Sequence, residues 1–94
     1  SAVASVDKAV RERALSLDVV KRAIQTPSHR FYDLVSGAEV SIGEVESHER
    51  RIVLAVVFIR RGERIRIVTA YPCKRMLEEI ERKKKSGRWI WLVS

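Results

Sequence analysis

A chain of 94 residues closes one hydrophobic core of modest depth, and 46% apolar against 33% charged residues excludes a disordered composition. The longest apolar run, Ile52 to Ile59, is far shorter than the about 20 residues of a membrane helix, and the lone Cys73 leaves no intramolecular disulfide to form. The net charge of +7 is lopsided: residues 1–49 hold six Lys and Arg against eight Asp and Glu, residues 50–94 thirteen against four, so the second half attracts polyanions.

A single domain over residues 1–94 is expected, and the start, Ser1 to Asp7, has neither the basic nor the long apolar stretch of a secretion signal. With one cysteine, this points to the cytoplasm and away from a membrane. The same abundance of charge also suits the surface of a protein from a hot environment, although such surfaces mix their signs in networks.

Val3, Val6 and Val10 recur at helical spacing, so the first dozen residues read as a short helix. Ser16 reads as the N-cap of a second, with Asp18 in its first turn, Leu17, Val20 and Ile24 as its stripe and Pro27 as its stop. Phe31 to Val35 and Val40 to Val45 flank Ser36-Gly37 as a hairpin, and Arg51 to Arg60, apolar on both faces, reads as a covered central strand. After the Arg61-Gly62 turn, Arg64 to Tyr71 alternates, with Arg64 and Arg66 on one face and Ile65, Ile67, Thr69 and Tyr71 on the other. Pro72 suits the first turn of a helix over Cys73 to Lys85, striped by Met76, Leu77 and Ile80. Arg88 to Val93 closes the chain as a strand, with Trp89 and Trp91 opposite Ile90 and Leu92. The expected fold class is α+β: two N-terminal helices packed on a mostly antiparallel sheet of about five strands, with one further helix before the last strand.

RNA cleavage without a metal requires a proton acceptor for the 2′-hydroxyl, a donor for the leaving 5′-oxygen and cations for the phosphorane. His48, at the start of the central strand, is the imidazole best suited to proton transfer, and reads equally as an exposed turn residue. Arg51, Arg64 and Arg66 are the leading phosphate contacts. Thr69 and Tyr71 end their strand beside Lys74 and Arg75, which fall at the start of the third helix, where a phosphate is readily held. Tyr71, sharing a face with Ile65 and Ile67, reads equally as a core aromatic, and Cys73, Trp89 and Trp91 read as packing residues. Two histidines and one cysteine build no structural zinc site, and neither a phosphate loop nor a dinucleotide fingerprint is present, so no metal and no cofactor are expected.

The segment Arg11-Glu12-Arg13-Ala14-Leu15-Ser16-Leu17-Asp18-Val19-Val20 resembles the "ERGIS-x-x-x-V" signature of an uncharacterised prokaryotic domain family, and Ile67-Val68-Thr69-Ala70-Tyr71-Pro72 resembles its closing "VVTAY" strand. That family is grouped with the RelE-type toxins, in the superfamily of barnase, EndoU and the colicin nucleases. The resemblance, from about Lys8 to Trp91, implies the same two helices on an antiparallel sheet and a metal-independent endoribonuclease ancestry. It further implies RNA across the open sheet face, with or without the ribosome, and an acidic antitoxin as protein partner. In this chain Ser5 stands near where the pattern carries a His, and Ala14 where it carries Gly. That departure favours a second reading, a non-catalytic interaction module that binds an acidic partner or pairs with itself as a homodimer. Under the first reading His48, Tyr71 and Arg51 are catalytic, and Arg64, Arg66, Lys74, Arg75 and Thr69 bind nucleic acid.

Overall fold

β-branched and apolar runs recur along the chain, and in the computed structural model the described residues form a six-stranded sheet with a helix on each face. The structure describes residues 2–6 and 16–93. In chain order these form β1 (Ala2–Val6), α1 (Leu17–Gln25), β2 (His29–Asp33), β3 (Glu39–Ser47), β4 (Arg50–Arg61), β5 (Arg64–Pro72), α2 (Met76–Lys85) and β6 (Trp89–Val93). The strands lie in the order β1-β5-β4-β3-β2-β6, antiparallel throughout except for β1, which runs parallel to β5.

The α+β class is as expected, but among the described residues there is one N-terminal helix where two are expected. Residues 2–6 form a strand along β5, and residues 7–15, which hold the rest of the expected helix, lie outside the described part. Valines three apart satisfy a helical stripe, but the β-branched side chain is also at home in a strand, and here the free edge of β5 supplies the backbone partners. The second expected helix begins where its cap predicts: Ser16 Oγ accepts the Val19 N–H at 3.2 Å. Its buried face is Val19, Val20, Ala23 and Ile24, whereas Leu17 is exposed.

β4 divides the core. Leu54, Val56 and Phe58 point to the α1 side, where they pack with Val20, Ala23 and Ile67; Ala55 and its neighbours point to the α2 side with Phe31, Ile42, Ile80 and Trp89. α1 lies so close to β3 that a Cβ at Gly43 would sit 3.3 Å from Thr26 O and 3.4 Å from Ala23 Cα. On the other face α2 starts at Met76, because Pro72 closes β5 and Cys73 N–H is still held by Val53 O at 2.8 Å. Leu77, expected in its apolar stripe, points to solvent, and Ile80 carries the burial.

β3 and β4 are joined by a two-residue turn, His48-Glu49, both left-handed (φ 52° and 63°) with Ser47 opposite Arg50. This is the turn that a twisted hairpin prefers, but it is built from residues with a Cβ, at a cost of roughly 1 kcal/mol or more each. Glu49→Gly is therefore expected to stabilise the fold by about 1 kcal/mol, read as a Tm rise of about 5 °C by calorimetry.

Candidate nucleic-acid interface

Ile65 and Ile67 are buried on the α1 side of β5, and strict alternation would send Thr69 and Tyr71 after them. A β-bulge intervenes. Phe58 pairs with Ile67 while Val57 pairs with Thr69, which leaves Val68 as one residue too many on β5. Beyond it the parity is reversed: Ala70 falls on the α1 side, and Tyr71 packs with Val53 and Val57 on the α2 side. Thr69 and Tyr71 therefore share a face with Arg64 and Arg66, against the expectation from alternation. Arg61, opposite Arg64, adds a third guanidinium to that end of the face.

Over its length of about 20 Å this row changes character. At the hairpin end Arg61, Arg64 and Arg66 are exposed, and Val57, Ile59 and Thr69 beside them are half-buried. At the other end Tyr71 is half-buried near α2, and its phenol is pushed above the usual 10.0. Burial is the main cause, the charges of Glu79 and Cys73 add to it, and Arg82 and Arg88 partly oppose it. Tyr71 thus keeps its proton at neutral pH. Glu79 is bonded to Arg82, and Arg88 Nε donates to both carboxylate oxygens of the buried Asp33, at 3.2 and 3.1 Å.

The remaining expected residues lie elsewhere. Arg51 is on the α2 face by register, but ten residues of β4 separate it from Arg61, about 33 Å of strand, and Glu44 pairs with it at 3.4 Å. His48 is exposed in its turn, seven residues of strand, about 23 Å, from Ala55, the residue opposite Tyr71. His48, Arg51 and Tyr71 therefore do not form one catalytic centre. Lys74 shares with Arg51 and Cys73 a shallow depression of about 310 Å³. The expected anion site at the start of α2 is occupied by the helix's own acids: Glu78 and Glu79 fill the first turn, and Arg75 pairs with Glu78 at 3.6 Å. The thiol of Cys73, three residues before the helix, is pushed up by burial and by Glu79, against one backbone hydrogen bond from Arg75.

No family model, curated protein or solved structure matches this chain. The RelE-like resemblance rests on its two motifs, of which residues 11–15 lie outside the described part and the second contains the bulge at Val68.

Sequence reading passed over Asp33, Glu79, Arg82 and Arg88, because three of them sit in charged or turn segments that read as solvated surface. Asp33 carried a signal: an acid ending the aromatic strand, three residues before Ser36-Gly37, is the pattern of a turn cap. Its Oδ1 accepts the N–H groups of Val35 and Ser36 at 2.9 and 3.4 Å. Burial by itself would raise its pKa, but those two donors and Arg88 outweigh it, so the carboxyl lies below the ordinary 3.8. Its ionised form therefore stabilises the fold above pH 3.8, and that contribution is lost as the pH falls through 3.8 to the lower folded value. Asp33→Ala is expected to cost about 2 kcal/mol at neutral pH, and its urea midpoint should fall less than the wild type's on acidification across this range.

Proposed function

We propose that the α2 face of the sheet binds single-stranded RNA along β5, in the manner of a RelE-like ribonuclease fold. The observation that carries this reading is the bulge, which gathers Arg64, Arg66, Thr69 and Tyr71 on one face with Arg61 beside them. Guanidinium groups in a row hold successive phosphates through paired N–H donors, and the half-exposed Val57 and Ile59 offer apolar surface to ribose and base.

In the cleaving form of the reading, Tyr71 gives its proton to the leaving 5′-oxygen. Glu79, bonded to Arg82 on α2, is the carboxylate whose charge acts on Tyr71 and is assigned as the proton acceptor. One observation favours the non-catalytic alternative. Neither imidazole adjoins Tyr71: His48 is about 23 Å away along the strand, and His29, in line across the sheet through Ile42 and Ala55, is three strand spacings, about 14 Å, away.

Two measurements test the proposal. Fluorescence anisotropy with a short single-stranded RNA should show affinity falling with salt, and Arg64→Ala with Arg66→Ala should make that slope shallower by about 1.4 and weaken binding at least tenfold. Equal affinity and equal slope in the double variant would falsify the site. Incubation with RNA in EDTA separates the two forms. Tyr71→Phe should abolish cleavage while keeping affinity within about twofold, and intact RNA with the wild type leaves a binding module only.

A further inference from the structure

The two tryptophans of β6 sit in different surroundings. Trp89 is 5% exposed and lies nearly parallel to Phe31, ring centroids 4.9 Å apart, as a core residue does. Trp91, which the sequence reads as packing, is 38% exposed. T-shaped contacts with Phe31 and His29, at 5.1 Å each, fix the orientation of its ring. The β2–β6 ladder slips directly after it, from Phe31–Trp91 to Arg30–Val93, which leaves Leu92 as a bulge; Leu92 and Ile90 are the bare aliphatic residues of this edge. Lys83 and Lys84 stand over the two indoles, at 5.9 and 4.5 Å. On the same helix Arg82 and Lys85 answer Glu79 and Glu81, but Lys83 and Lys84 have no carboxylate partner among the described residues.

Trp91 is also in register with the basic row. It pairs with Phe31, Phe31 with Val40, Val40 with Val57 and Val57 with Thr69, so Thr69 and Trp91 end one line across the α2 face, four strand spacings or about 19 Å apart. We infer that Trp91 stacks a base of the RNA strand whose phosphates lie on β5, with Lys84 holding the phosphate beside that base. The inference rests on the RNA reading of the β5 row and extends it to the opposite edge of the sheet. Phe31 and Val40, inside the line, are buried with Ile80 of α2, so the strand crosses over the helix, whose last turn carries Lys83, Lys84 and Lys85. A single-stranded nucleic acid brings both a π face and an anion to such a surface, whereas an acidic peptide brings the anion alone. Lys84 covers the indole in the unbound chain. The exchange is favourable, because an exposed cation–π contact is weaker than a base stacked on the same ring and the displaced ammonium gains a phosphate.

Tryptophan emission, followed while a uridine oligomer of about ten nucleotides is added, tests this. The oligomer should quench the emission, and Trp91→Phe should remove the quench, because Trp89 is buried. By anisotropy Trp91→Ala should weaken binding about tenfold at an unchanged salt slope, since stacking releases no counterions, whereas Lys84→Ala should make the slope shallower by about 0.7. Lys84 is exposed, so that variant and Trp91→Phe carry the test should Trp91→Ala fail to fold. Unquenched emission in a chain whose RNA binding still depends on Arg64 and Arg66 overturns the inference and leaves the β5 row standing. A quench that persists in Arg64→Ala with Arg66→Ala, at unchanged affinity and slope, supports the Trp91 site and sinks the β5 row instead. Equal quenching by a glutamate oligomer of the same length overturns the inference, since an anion without a base then suffices, and the absence of any RNA binding overturns both.

Discussion

Where β4 and β5 run side by side the ladder slips once: Val57 pairs with Thr69, Phe58 with Ile67, and Val68 has no partner. The slip changes which face every later residue of β5 presents. Without it Thr69 and Tyr71 would follow Ile65 and Ile67 toward α1, where the space is filled by Val20, Ala23, Leu54 and Val56. With it, the small Ala70 takes the inward position under the helix, and the two hydroxyl-bearing side chains cross to the side that holds the arginines. One residue thus converts a strand that would be half basic and half core into a continuous polar row. A bulge also strengthens local twist and bends its strand.

The slip can be tolerated because β4 is held from both faces. Nine consecutive pairs with β3, from Glu39–Phe58 to Ser47–Arg50, fix its other edge without a shift, so the irregularity is confined to the β5 side. Phe58, at the slip itself, is fully buried and carries the guanidinium groups of Arg30 and Arg60 within 6 Å of its ring, at 5.9 and 5.6 Å. Arg30 also donates to Ile24 O at the end of α1, tying helix, β2 and the slipped position together.

Much of this could be read from the residues, for identifiable reasons. β4 was legible because a run apolar on both faces fits only a strand covered on both sides, and α1 because Ser16 and Asp18 announce its start. The β2–β3 hairpin was legible from Gly37, whose φ of 75° its turn requires, although Leu34 and Val35 proved to belong to the turn rather than to the strand. β1 was not, since Ala-Val-Ala-Ser-Val satisfies either period and only the open edge of β5 decides between them. The start of α2 was misplaced because Pro72 fits the first turn of a helix as well as the end of a strand, and the Val53 O bond to Cys73 selects the second. Thr69 and Tyr71 were assigned to the wrong face at a single step. Period-two alternation assigns faces correctly only in a strand without a bulge, and no residue type in Ile67-Val68-Thr69 marks one.

The lopsided charge of the sequence resolves into two different uses of cations. Toward the C-terminus most are spent locally: Arg82, Arg75 and Lys85 answer Glu79, Glu78 and Glu81 on the same helix, Arg88 answers Asp33, and Lys83 and Lys84 cover the indoles. The exposed pairs on α2 contribute little to stability, whereas the pair of Arg88 with the buried Asp33 contributes more. At the hairpin end Arg61, Arg64 and Arg66 share one face of the sheet. The basic row lies near one edge of the sheet and the bare aliphatic strip at the other, with four strands from β5 to β2 between the β1 and β6 edges.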